Sequence, residues 1–410
     1  MMLRHLLTGV TGAVIAWSSA LAQPLQGFDA GANVPPAFAV TSFYDASPKL
    51  ARAKPGDILK AEPVAAPSGA RAWRVMYASR TWDDQPVAAT GLIIASTAKT
   101  TRPRPVLVWA HGTTGGARGC APSLAPDPAR SFLERGGAAG YPIDIGTPYL
   151  TDLMARGYVV AAPDYQGLGG PGVHQFLVGD TAARGGLDAA RAARHLRGAK
   201  AGADVVVLGW SQGGQAALTA GEVASAYAPD LRVRGVAALA PSATIMSPVV
   251  NQLFRSGTPH VYEIIRGYAS AYGLSTDLLS QRGRDLVEVA GQGCILEVFK
   301  EVGRSKEPGV IADVTNDPAW TTALERNNSG LRVSAAPVLV VHGSADGIVP
   351  FGSTDLYQAR ACAVGTKLQI DRIEGGDHRS IIPSAREGIL HWMEMRLRGE
   401  PAKTSCPSAG

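Results

Sequence analysis

A serine hydroxyl is almost never ionised at neutral pH, so acyl-transfer chemistry at serine needs a neighbouring base, and that base needs an orienting carboxylate. This chain carries residues of all three types at telling places. Ser211 lies in Gly209-Trp210-Ser211-Gln212-Gly213, a G-x-S-x-G pentapeptide. Asp346 closes the run His342-Gly343-Ser344-Ala345-Asp346, and His378 closes Glu374-Gly375-Gly376-Asp377-His378. With 48 glycines in 410 residues the pentapeptide can arise by accident, so its flanks must decide. Residues 205–208, all apolar, read as a strand buried on both faces, and Ala216, Ala217, Leu218 and Ala220 read as a helix packed on it. Such a tight strand-to-helix turn strains residue 211 and exposes its hydroxyl as a nucleophile. The plainer alternative is a serine that merely caps the helix.

Residues 337–341 read as another buried strand leading to the Asp346 loop, and residues 367–373 alternate as a strand leading to His378. Ser211, Asp346 and His378, each just past a strand, follow the chain order of α/β-hydrolases. Of the eight histidines, His5 falls in a leader segment, and His195, His260 and His391 fall in helical patterns. His174 sits in a Gly-rich loop with no strand before it. The acid loop is expected to put His342 beside the site rather than on the nucleophile. Asp377 should point away from adjacent His378. Asp164, after a strand at 158–162, competes for the acid role but is read as organising Pro163-Asp164-Tyr165-Gln166-Gly167.

The tetrahedral intermediate of acyl transfer carries a negative oxygen that two backbone amides can bind. One expected donor is Gln212, immediately after the serine. The other should lie past the strand at 105–110, in His111-Gly112-Thr113-Thr114-Gly115. Thr113 is the assigned donor, and Thr114 the alternative with a hydroxyl to offer. An ordinary Gly-rich turn is the competing reading.

Strands at 73–79 and 87–95 read as an antiparallel pair turning at Asp83-Asp84; after Pro105, strands alternate with helices such as 180–196. The predicted fold is α/β, a mostly parallel sheet flanked by helices, whose ligands bind beyond the carboxyl ends of the strands. About ninety residues separate the strand near 234–240 from the one near 337–342, far more than a connecting loop. A helical cap over 242–331 is expected there, between catalytic segments 23–241 and 332–410. Val261, Ile264, Ile265, Tyr268 and Tyr272 recur at helical spacing, and Leu278, Leu279, Leu286 and Val287 extend the apolar supply. These residues suit an acyl pocket or interfacial lid, and equally the packing of a cap on its core.

Residues 1–22, with Arg4, an apolar stretch around Val14-Ile15-Ala16-Trp17 and Ala20-Leu21-Ala22, read as a secretory signal peptide. A secreted or periplasmic destination follows. Cys120, Cys294, Cys362 and Cys406 suit an oxidising compartment, permit three pairings, and are too far apart for a zinc cluster. A net charge of +5 without basic runs gives no nucleic-acid footprint. Weak attraction to anionic surfaces and transient contact with a lipid interface remain compatible with it. No feature specifies an oligomeric state.

Phe43-Tyr44, Lys54-Pro55-Gly56-Asp57-Ile58-Leu59, Pro163-Asp164-Tyr165, the serine turn, the long insertion and the acid and base loops together carry a resemblance across nearly the whole mature chain. The chain resembles the secretory lipase family, α/β-hydrolases that include the fungal lipase A type and related bacterial secreted esterases. The resemblance implies the pairings Cys120 with Cys294 and Cys362 with Cys406. Two departures bear on acyl-chain preference: Gln212 differs from the small or aromatic elbows of eukaryotic members, and the loop at 111–115 looks more like bacterial esterases. The expected activity is hydrolysis of carboxylic esters of lipid or small-molecule type through an acyl-enzyme, with no metal or organic cofactor. Amide or peptide cleavage by the same fold is one alternative, and a non-catalytic binding protein another.

Overall fold

The computed structural model describes residues 34–132, 140–247, 251, 254–304 and 307–407. The leader expected at 1–22 lies outside the described residues. Among the described residues, nine strands form one sheet in the order β1-β2-β3-β5-β4-β6-β7-β8-β9. They are β1 (Ile58–Val64), β2 (Ala70–Arg80), β3 (Pro86–Ser96), β4 (Arg104–Ala110), β5 (Val159–Pro163), β6 (Ala201–Trp210), β7 (Arg232–Leu239), β8 (Val338–Gly343) and β9 (Leu368–Ile373). The first three strands and the β3–β5 pair are antiparallel; every pairing from β5 through β9 is parallel.

The apolar runs at 106–109, 205–208 and 338–341 are continuous because both faces of the sheet are covered. Val106, Val108, Val205, Val207, Val338 and Val340 point into one core, and Leu107, Trp109, Val206, Leu208, Leu339 and Val341 into the other. Helices α2 (Gly179–His195) and α3 (Gln212–Tyr227) supply alanines to the first core. Helix α1 (Leu150–Ala155) contributes Leu150 and Leu153 to the second core, joined from the far end of the chain by Ile389, Leu390 and Met393. Small side chains on α2 and α3 let these helices lie close to the strands, the arrangement that delivers the α3 N-terminus to the carboxyl edge of β6.

Helices α4 (Pro259–Tyr272), α5 (Gln281–Gln292), α6 (Ile295–Gly303) and α7 (Pro318–Arg326) lie between β7 and β8. Helix α4 opens on a proline and stops at Gly273, whose φ of 66° ends it in the left-handed region. Val261, Ile265, Tyr268, Leu279, Leu286, Val298, Trp320 and Leu324 form a core of their own here, with Phe176, Leu177 and Val178 from the loop before α2. Tyr272 and Val287 are only partly buried. The Tyr272 hydroxyl accepts a hydrogen bond from Asn327 at 2.8 Å, so its polar tip stays at the edge of that core.

After β8 come α8 (Gly352–Ala363) and, past β9, α9 (Arg386–Leu397). Two disulfides join Cys120 to Cys294 and Cys362 to Cys406, the pairings the resemblance implied. The second holds the C-terminal tail on β9, where the Ser405 amide donates to the Leu368 carbonyl and the Ser405 hydroxyl accepts from the Ile370 amide.

Candidate active site

Strand β6 ends at Trp210 and α3 begins at Gln212, leaving Ser211 alone to turn the chain, with φ 59° and ψ −119°. The surroundings over-determine this strained backbone. The Ser211 amide donates to the Leu239 carbonyl at 2.9 Å, and the Ser211 carbonyl accepts from Ser242 at 3.1 Å. A Cβ on Gly209 would fall 1.9 Å from the Gly213 carbonyl oxygen, and one on Gly213 would fall 1.9 Å from that of Ala110. Glycine at both places is therefore a packing requirement. The Ser211 side chain makes no capping bond to α3, so the helix-cap reading is not what this serine does.

Asp346 and His378 follow β8 and β9 and meet beyond them. His378 Nδ1 lies 2.7 Å from Asp346 Oδ2. The carboxylate can only accept, so Nδ1 carries the hydrogen and Nε2 is the nitrogen with a free lone pair. Asp346 Oδ1 accepts the amides of Ile348 at 2.8 Å and Val349 at 2.9 Å, and Oδ2 also faces His342 Nε2 at 3.1 Å. Burial pushes the Asp346 carboxyl up, but His378 and His342 outweigh it and hold the group well below the usual carboxylate range.

Asp164 and Asp377 make other bonds. Asp164 accepts from the Ser123 amide (2.9 Å) and hydroxyl (2.5 Å) and from the Thr90 hydroxyl (2.7 Å), so it binds the 163–167 loop to β3. Asp377 accepts the amides of Arg379 and Ser380 and shapes the turn beside His378.

Trp210 ties the serine turn to the His378 loop. Its indole N–H donates to the His378 carbonyl at 2.8 Å, and the two rings lie 5.1 Å apart. Arg379, next in sequence, grips Asp144 through two guanidinium nitrogens and lies 5.4 Å over the Trp210 ring. Sequence reasoning missed Trp210, Asp144 and Arg379, because their partners come from segments remote along the chain.

Gln212 is the first residue of α3, where amides have no intrahelical acceptor and the helix dipole favours negative charge. On the opposite side, the chain leaves β4 with the Ala110 and His111 carbonyls against Gly213 and with Gly112 against the Trp210 ring. It then docks on α6: Gly115 bridges to Cys294, and the Ile295 amide donates to the Thr114 carbonyl at 2.9 Å. Thr113 stands between these two anchors. The Thr114 hydroxyl is buried without a partner among the described residues.

Two further histidines flank the site. His174 Nδ1 donates to the Gln166 carbonyl at 2.9 Å, which leaves Nε2 to accept the Gln212 side-chain N–H at 3.0 Å. His111 lies against the carbonyls of Gly112 and Asp164. Burial pushes both imidazoles down to about 4, against the opposing pull of those carbonyls, so both are neutral at physiological pH. His174 was read from sequence as a loop histidine; nothing local in the sequence signals its tie to Gln212.

A largely parallel sheet with a strained serine at a strand-to-helix turn, and an Asp–His pair beyond two later strands, defines an α/β-hydrolase. The family model described as "Secretory lipase" matches residues 135–405. The chain belongs to the secretory lipase family and is a carboxylic ester hydrolase. It is 25% identical over 392 residues to Lipase A of Arthroderma benhamiae, covering 90% of this chain and 81% of that one. Among solved structures, Candida antarctica lipase A superposes with a TM-score of 0.72 at 17% identity, covering 89% of this chain and 87% of the other. The rice cell wall degrading esterase LipA from Xanthomonas oryzae gives 0.64 at 17% identity, covering 85% of this chain and all of that one. These two likenesses concern the fold.

Proposed function

We propose that this chain is an exported hydrolase that cleaves carboxylic esters through an acyl-enzyme on Ser211. His378 Nε2 takes the serine proton as Oγ attacks the ester carbonyl, and Asp346 stabilises the resulting imidazolium. The amides of Gln212 and Thr113 bind the oxyanion, each worth roughly 2–4 kcal/mol of barrier. His378 then protonates the leaving alcohol and activates the water that releases the acid. Residues 242–331 act as a cap whose apolar helices seat the acyl chain, on the catalytic body formed by 23–241 and 332–410. Export through the leader at 1–22 fits a chain with two disulfides. No described helix is long and apolar enough to cross a membrane.

The observation that carries the reading is the His378–Asp346 hydrogen bond, held next to the strained serine turn by the Trp210 indole. Relatives named as lipases support a fatty acyl ester as substrate; a relative named trichothecene C-3 esterase supports an ester of a bulky alcohol.

The test is a chain-length series of nitrophenyl esters from acetate to palmitate, dispersed and emulsified, with an aminoacyl arylamide alongside and Ser211→Ala as control. Ser211-dependent ester turnover is expected. Long-chain preference with a rate jump at the emulsion identifies a lipase, and short-chain preference without it an esterase. Wild-type turnover by Ser211→Ala, or arylamide turnover alone, overturns the reading.

A further inference from the structure

His342 is the last but one residue of β8, and its imidazole is wholly enclosed. Its Nε2 faces two acceptors, Asp346 Oδ2 at 3.1 Å and the Val349 carbonyl at 2.9 Å. Its Nδ1 faces the buried Thr354 hydroxyl at 2.7 Å. A neutral imidazole has one N–H, and two acceptors on one side fix it on Nε2, which leaves Nδ1 to accept from Thr354. His342 is thus a donor aimed at the same carboxylate oxygen that receives the His378 N–H. Each donor on an oxygen withdraws charge from the bond the other makes.

We propose that His342 is a positioning residue that sets the basicity of His378 by sharing Asp346 Oδ2. The inference rests on the assignment of Asp346 and His378 made above. Asp346 Oδ1 is pinned by the Ile348 and Val349 amides, so loss of the His342 donor leaves the carboxylate in place and its Oδ2 charge more fully on His378. A more stable imidazolium follows, and a base that stays protonated to higher pH. The other groups around the pair keep fixed roles. Asp377 is bound to its own turn, Arg379 is paired with Asp144, Arg372 lies over the Phe351 ring, which packs on His342, and the uncharged Trp210 ring lies on His378.

The experiment compares His342→Gln with His342→Asn through the pH dependence of kcat/KM on a soluble nitrophenyl ester. A glutamine amide reaches the position of Nε2 and can donate to Asp346, whereas an asparagine amide reaches that of Nδ1 and stops at Thr354. The acidic limb of the Gln variant is expected to coincide with wild type. That of the Asn variant is expected to move up by about half a pH unit or more, with KM little changed. Both replacements are polar and of similar burial, so a purely structural histidine would let them lose activity together with no shift of the limb. That result, or an equal shift in both, overturns the proposal. Asp346→Asn in parallel separates the two levels: near-wild-type turnover there refutes the acid assignment itself, whereas its loss with unmoved His342 limbs refutes only the role given to His342.

Discussion

The indole N–H of Trp210 and the backbone carbonyl of His378 are joined by a 2.8 Å hydrogen bond across 168 residues of chain. Trp210 immediately precedes Ser211, so the proposed nucleophile and base are referenced to one another through a rigid ring rather than through two independent loops.

Trp210→Phe keeps the ring but removes the donor. A lost hydrogen bond to a buried carbonyl costs about 1–2 kcal/mol, and here it loosens the placement of the base, so kcat is expected to fall about tenfold with KM nearly unchanged. Steady-state kinetics on one soluble ester measures both terms. An unchanged kcat would mean that Arg379 and Asp144 hold the loop without the indole.

Asp346 and Asp164 are both buried acids beyond strands, and their replacements should separate. Asp346→Asn is expected to lower kcat by roughly 10³–10⁴, with a loss of stability as well because its amide meets the His378 and His342 donors. Asp164→Asn turns an amide toward the donors Ser123 and Thr90 and is expected to cost about 2–3 kcal/mol of stability with kcat retained. Thermal melts and kinetics on the same two preparations check both statements, and a catalytic collapse in Asp164→Asn alone would reverse the assignment.

Glu263 on α4 is buried, neither carboxylate oxygen has a hydrogen-bond partner among the described residues, and burial pushes its pKa well above the ordinary 4.5. The folded protein therefore keeps this proton where the unfolded chain has lost it. Stability from this group is full below about pH 4.5 and declines as pH rises toward the folded value. Glu263→Gln removes the titration. Its stability relative to wild type is expected to grow from near zero at about pH 4 to roughly 1–3 kcal/mol at about pH 8. Denaturant titrations at the two pH values test this, and parallel curves would show that the carboxyl ionises freely in the fold.

The strands and the serine turn were legible because their signals are local. Residues 205–208 are apolar on both faces, and Gly209 and Gly213 stand where no Cβ fits. Asp346 and His378 were legible from their places after strands. The contacts made by His174, Arg379 and His342 were not, since each is decided by a partner from another segment: Gln212, Asp144, and an acid loop whose path only the folded chain defines. Tyr272 fits the apolar spacing of α4, yet its hydroxyl holds Asn327 at the rim, a choice that spacing does not encode.

The two disulfides divide the chain into covalent rings. Cys120 and Cys294 close a ring that contains Ser211, and Cys362 and Cys406 close a second that contains His378; Asp346 belongs to neither. A single cut of the backbone anywhere between residues 120 and 294, through much of the helical insertion included, leaves the pieces joined as one molecule under non-reducing conditions. A cut in the stretch from 295 to 361 severs the ring of the serine from the ring of the histidine, and only packing then keeps the two together.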